Sequence, residues 1–141
     1  MGRILAIDYG TKRVGLAVSD DQQIIASGLK TVHSTEVIGF LKEYVGQFEV
    51  DCFVLGVPKT LSNQDTDASE SVQNFSIHLR RTFPAIKLES IDERFTSILA
   101  VRTMIDSGMS KKKRQNKSLV DEISATIILQ DYLEQKKNGF R

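Results

Sequence analysis

The sequence predicts an α/β fold: a mixed five-stranded sheet, three antiparallel strands followed by parallel strands, flanked by helices. Short apolar runs separated by polar turns crowd the first part of the chain, and runs with helical spacing then alternate with single apolar runs. At 141 residues, 40% of them apolar, the chain supplies one ordinary core and leaves no room for a second. Residues 1–141 are therefore read as one domain.

The first strand is Ile4-Leu5-Ala6-Ile7, running into a bend with an acid, Asp8, two glycines, Gly10 and Gly15, and two cations, Lys12 and Arg13. Residues 14–19 and 24–32 read as the next strands, separated by the polar turn Asp20-Asp21-Gln22-Gln23. Ser34 and Thr35 are expected to cap a helix through Phe48 whose apolar face is Val37, Ile38, Leu41, Tyr44, Val45 and Phe48. Cys52-Phe53-Val54-Leu55-Gly56-Val57 is a continuous apolar run, the pattern of a strand covered on both faces, and Pro58 stops it.

A polar loop over 59–66 leads to Asp67 and Glu70, spaced as a capping box for a helix carrying Val72, Phe75, Ile77 and Leu79 and closed by Pro84. Residues 86–91 alternate as a strand and end at Asp92-Glu93-Arg94. A helix is expected from Phe95 or Thr96 to Asp106, with Gly108 as its stop. The last helix runs from Ser118 to about Lys137, where Lys136 and Lys137 complement the helix dipole. This succession is the order of a ribonuclease H-like fold, in which the first strand and a parallel strand lie side by side at the sheet centre. Acids at their ends can then converge with one on a later helix.

Charge is unevenly placed. Lys111, Lys112, Lys113, Arg114 and Lys117 are five cations in seven residues, leaving 14 cations against 18 acids elsewhere. The one cysteine, Cys52, has no internal partner and reads as a buried thiol of a reducing compartment. The chain shows no 18-residue apolar span and no secretory signal, so the expected location is the cytoplasm, away from membranes. His33 and His78 lie apart from each other and from cysteine, so an imidazole or thiolate metal site is not expected.

Three acidic positions are candidates for chemistry: Asp8, the pair Asp92 and Glu93, and the pair Asp121 and Glu122. Each has a purely structural alternative. Asp8 and Thr11 can serve the turn, Asp92 and Glu93 can pair with Arg94 at the surface, and Asp121 can cap a helix opened by Ser118. Against the last, Asp121 shares a helical face with Ala125, Ile128 and Tyr132, although Glu122 aligns equally well with Thr126, Leu129 and Leu133. Acids from separate elements suit Mg²⁺ or Mn²⁺, which prefer oxygen ligands and, in two-ion sites, sit about 3.5–4 Å apart. The basic run immediately before the Asp121 helix suits a polyanion, held through its phosphates without base specificity.

These residues together resemble the YqgF/RuvX family of ribonuclease H-like proteins, described as Holliday junction resolvase homologues and as pre-16S rRNA nucleases. The resemblance spans nearly the whole chain. It rests on Ala6-Ile7-Asp8-Tyr9-Gly10-Thr11-Lys12-Arg13-Val14-Gly15-Leu16-Ala17-Val18-Ser19-Asp20, Val54-Leu55-Gly56-Val57-Pro58, Asp92-Glu93-Arg94-Phe95-Thr96 and Asp121-Glu122-Ile123-Ser124-Ala125-Thr126-Ile127-Ile128-Leu129-Gln130. It departs from the family in lacking a glycine soon after Pro58 and in carrying Glu122 where a small residue is usual.

The resemblance implies catalytic carboxylates at Asp8, Glu93 and Asp121, with Asp92 close behind Glu93, and two Mg²⁺ or Mn²⁺ ions on Asp8, Glu93 and Asp121. Substrate phosphates are then expected at Gly10, Thr11, Lys12, Arg13, Arg94, Lys111, Lys112, Lys113, Arg114 and Lys117. The implied activity is metal-dependent hydrolysis of phosphodiester bonds in the 5′-end processing of pre-16S rRNA, with structured RNA precursor or branched DNA as partner and a monomer or homodimer as the working unit. A Holliday junction resolvase and a non-catalytic ribosome-assembly factor remain as alternatives. An actin-like or sugar-kinase-like ATPase shares the Asp8-Tyr9-Gly10-Thr11 pattern, but such proteins clamp ATP between two such domains and this chain supplies one.

Overall fold

Alternation of bulky and small side chains in the first hairpin decides how the layers stack. In the computed structural model, which describes residues 2–57, 67–92 and 117–137 (backbone only at 67–69, 92, 117 and 118), β1 (Arg3–Tyr9) and β2 (Arg13–Ser19) pair antiparallel. Leu5, Ile7, Val14, Leu16 and Val18 go to one face of this hairpin; Ala6 and Ala17 go to the other. The chain continues through β3 (Ala26–His33), α1 (Val37–Gln47), β4 (Val50–Val57), α2 (Asp67–Thr82), β5 (Lys87–Asp92) and α3 (Lys117–Lys137). Strand order is β3-β2-β1-β4-β5, with β1, β4 and β5 mutually parallel and β2 and β3 antiparallel additions.

The bulky face packs against Val37, Leu41 and Tyr44 of α1 and Val72, Phe75 and Leu79 of α2. The small face receives α3 through Ala125, Ile128, Leu129 and Tyr132, against Ile4, Ala6, Ala17, Cys52, Val54 and Ile91. Small side chains on a sheet let a helix backbone approach closely. This seats α3 over the first hairpin. Cys52 is buried as expected, and desolvation pushes its thiol above the ordinary range.

Several sequence expectations shift. The third strand starts at Ala26, because the Asp20 carboxylate accepts the N–H groups of Ile24 and Ile25 at 2.7 and 2.9 Å and holds both residues in the turn, exposed. Those bonds, Ile25 first and then Ile24, hold the Asp20 carboxyl below its ordinary value. Ser34 and Thr35 do not cap α1, which begins after Glu36 without a side-chain cap. Thr35 pairs instead with His33, Oγ1 to Nδ1 at 2.9 Å. Ile77 is exposed on α2, since Val72, Phe75 and Leu79 already define the buried stripe and Ile77 falls outside it. Phe48 ends α1 with 38% of its surface exposed. The loop at 59–66 and the helix expected over residues 95–106, with Pro58 and Gly108, lie outside the described residues. No helix among the described residues is long and apolar enough to cross a membrane.

Candidate active site at the first hairpin and the start of α3

The bend between β1 and β2 is tight and externally braced. The Gly10 N–H donates to the Arg13 carbonyl at 3.0 Å, and a Cβ at Gly10 would lie 2.6 Å from that oxygen, so only glycine closes the turn without displacement. Ser34 holds the bend from the end of β3. Its hydroxyl donates to the Thr11 carbonyl at 2.6 Å and its N–H to the Lys12 carbonyl at 3.1 Å. Tyr9 anchors the other side, stacked on Phe75 of α2 with ring centroids 4.3 Å apart. Thr11 and Lys12 are left exposed at the tip.

Asp8 is opposite Gly15 in the β1–β2 register. Opposed residues of an antiparallel pair share a face, with Cβ atoms about 4.5–5.5 Å apart. A Cβ on Gly15 would collide with the Asp121 carbonyl and lie 3.1 Å from the Asp121 Cβ, so the β-carbons of Asp8 and Asp121 are separated by no more than roughly 9 Å. Two carboxylates 113 positions apart in the sequence thus meet on one face. The absence of a side chain at Gly15 is what lets α3 come down far enough to bring them together.

A cation stands beside the acids. Arg13 Nε–H donates to Asp121 Oδ2 at 2.8 Å, with the arginine side chain 42% and the aspartate side chain 23% exposed. Arg13 shares the face of Gly15, two residues along β2. The neighbouring Glu122 is turned toward β3. A Cβ on Gly28 would lie 3.7 Å from the Glu122 Cβ and 4.0 Å from its Oε1. Desolvation, and secondly the Asp121 charge, push the Glu122 carboxyl above its ordinary value.

Asp92 ends β5, paired with Val57. Register Ile7↔Leu55 and Gly56↔Ile91 puts the end of β5 at the same sheet edge as Asp8, with β4 between them, about 10 Å away at two strand spacings. Glu93, Arg94, Lys111, Lys112, Lys113 and Arg114 lie outside the described residues, and Lys117 is the first residue of α3. Among the described residues no three His, Cys, Asp or Glu side chains gather into a metal-binding group. Asp8 and Asp121 nevertheless fit Mg²⁺ or Mn²⁺: they are hard oxygen donors, and Mg²⁺ is commonly held by one or two carboxylates together with substrate phosphates. His33 and His78 are exposed, on β3 and α2.

A family model, RuvX, described as Holliday junction resolvase, matches residues 2–135. The chain belongs to the RuvX family. Curated relatives agree: a Flavobacterium johnsoniae protein named "Putative pre-16S rRNA nuclease" is 51% identical over 97% of this chain and 99% of its own length. A Parabacteroides distasonis protein of the same name is 53% identical over 97% and 98%. Among solved structures, Thermus thermophilus RuvC in complex with a Holliday junction substrate superposes with a TM-score of 0.59 at 14% identity, covering 99% of this chain and 97% of that one. A second T. thermophilus RuvC structure gives 0.57. At that identity the likeness concerns the fold alone, which in this RuvX-family chain is ribonuclease H-like with the strand order described above.

Two positions of this RuvX-family site escape a linear reading. Gly15 acts as the seat of α3, and Ser34 as the brace of the bend. The first had a signal, since Gly15 and Ala17 alternate with Val14, Leu16 and Val18 and so mark the face that a helix can approach. Nothing local distinguishes Ser34 from a helix cap.

Proposed function

We propose that this RuvX-family protein is a metal-dependent nuclease that hydrolyses phosphodiester bonds of pre-16S rRNA near its 5′ end, as one ribonuclease H-like domain acting in the cytoplasm. The observation that carries the reading is the meeting of Asp8 and Asp121 across Gly15, with Arg13 at their side. Two carboxylates on one face are hard oxygen donors, the chemistry that Mg²⁺ or Mn²⁺ accepts. Asp8, Asp121 and Glu93 are assigned to hold two such ions, with Asp92 as the alternative to Glu93. When bound, the ions supply the charge that polarises the scissile phosphate and stabilises the departing oxyanion.

The chain itself binds and orients. Lys12, Arg13, Arg94, Lys111, Lys112, Lys113, Arg114 and Lys117 hold flanking phosphates, and the bend at Gly10 and Thr11 lets a backbone come close. The names of the relatives favour an RNA precursor; the description of the family model favours branched DNA as second reading.

The test is cleavage by purified protein in MgCl₂ or MnCl₂ on a pre-16S 5′ fragment, single strands and a four-way DNA junction. Cleavage of the RNA fragment is expected, with Asp8→Asn lowering the rate at least about 100-fold while its thermal melt stays intact. An undiminished rate in Asp8→Asn refutes the site, and cleavage confined to the junction replaces RNA by DNA as substrate. Metal-independent binding without cleavage makes the protein an assembly factor.

A further inference from the structure

The contact between Arg13 and Asp121 joins two residues to which the proposed reaction gives different partners, a phosphate and a metal ion. We infer that Arg13 is a resident counter-charge for Asp121, exchanged for the divalent cation, so that metal entry and release of the guanidinium to a substrate phosphate are one coupled event. This rests on the nuclease reading and deepens it.

Four observations carry the exchange. The pair is joined through Nε at 2.8 Å, and both side chains reach solvent, at 42% and 23% exposure. Ion pairs that exposed contribute little to stability, so this one neutralises Asp121 without locking it. The backbone beneath is fixed, by the Gly10 N–H to Arg13 carbonyl bond at 3.0 Å and by Ser34 on Thr11 and Lys12. Exchange therefore requires only that the arginine side chain swing. Arg13 also shares a strand face with Gly15, the residue opposite Asp8, so its charge lies beside both acids.

A divalent ion approaching Asp121 must displace the guanidinium from Oδ2 and overcome its repulsion. Once displaced, the guanidinium regains its donor fork next to the ion. The freed fork would then suit a substrate phosphate, which arginine binds bidentately. The acid that awaits the metal and the cation that awaits the substrate thus keep each other neutral until both ligands arrive. Lys12, one residue away and exposed at the tip, has no such link to Asp121 in the structure.

The exchange predicts opposite signs for two binding measurements on one variant. Isothermal titration of wild type and Arg13→Gln with MnCl₂ alone should give an affinity about two- to five-fold tighter in the variant, because the competitor is gone. Fluorescence anisotropy with a labelled RNA hairpin in CaCl₂ should give binding about ten-fold weaker in the variant, because a phosphate ligand is gone. Arg13→Lys keeps the charge and should stay within about two-fold of wild type for Mn²⁺. A circular-dichroism melt establishes that each variant is folded. If wild type binds Mn²⁺ and Arg13→Gln binds it equally or more weakly, Arg13 orients Asp121 for the metal and the exchange is refuted, with the nuclease reading intact. If folded wild type and Arg13→Gln both bind no Mn²⁺, the exchange and the metal-dependent reading fall together.

Discussion

Adding one methyl group at Gly15 tests the seating of α3 and the meeting of the acids together. In Gly15→Ala the new Cβ would sit 2.5 Å from the Asp121 carbonyl carbon and 3.1 Å from its Cβ, and closer still to the carbonyl oxygen. Ordinary contact begins near 3.4 Å, so the start of α3 must rise by about 1 Å. The obstacle is helix backbone, which cannot rotate aside as a side-chain end can. Overpacking of this kind costs about 1–3 kcal/mol, a melting temperature lower by roughly 4–12 °C for a chain of this size.

The same rise carries Asp121 away from Asp8, and a 1 Å misplacement at a reacting centre costs on the order of 100-fold in rate. Gly28→Ala, on β3 beneath the same helix, is the internal control. There the added Cβ meets Thr126 Oγ1 at 3.5 Å and Glu122 Cβ at 3.7 Å, which is ordinary contact. Melting curves and cleavage rates of the two variants should therefore part, with Gly28→Ala within about 2 °C of wild type. A Gly15→Ala protein with wild-type melt and rate, or a Gly28→Ala protein damaged equally, would refute the geometry argued for the site.

Two buried serines should respond with opposite sign. Ser19 Oγ accepts the buried Ile4 N–H at 2.9 Å where the β1–β4 register shifts, so Ser19→Ala strands a backbone donor and should cost about 1–3 kcal/mol in a denaturant melt. Ser124 Oγ is buried with no hydrogen-bond partner among the described residues, so Ser124→Ala should be neutral or stabilising by about 1 kcal/mol. Glu122→Gln should raise the melting temperature at pH 7 by on the order of 1 °C, screening keeping the effect small. The sign follows from its raised carboxyl. The folded state holds that proton more tightly than the unfolded chain, so the contribution is full below the ordinary carboxylate range and lost as pH rises through the raised value. Removing the ionisable group therefore helps at neutral pH, and the gain should vanish below about pH 4.

Element types were legible in the sequence because they depend on local periodicity. The apolar run at Cys52 to Val57 became a strand buried on both faces, and Val72, Phe75 and Leu79 became the inner stripe of α2. Misreadings fell where a side chain chose a distant or unexpected partner. Ser34 is spaced like a helix cap but bonds Thr11, 23 residues earlier, and Asp20 takes the N–H groups that a longer β3 would have used. Periodicity along α3 also left Asp121 and Glu122 equivalent. The structure separates them, placing Asp121 over Gly15 beside Arg13 and Glu122 toward Gly28.

By itself the sequence determined the strand and helix succession, the small face of the first hairpin and the acids available for chemistry, since hydrophobic pattern and residue type are properties of the chain. Only the tertiary structure decided that Asp8 and Asp121 share one face and that Arg13 pairs with Asp121 there. Those facts depend on how closely two backbones approach across Gly15, a distance set by packing between elements and written in no single segment.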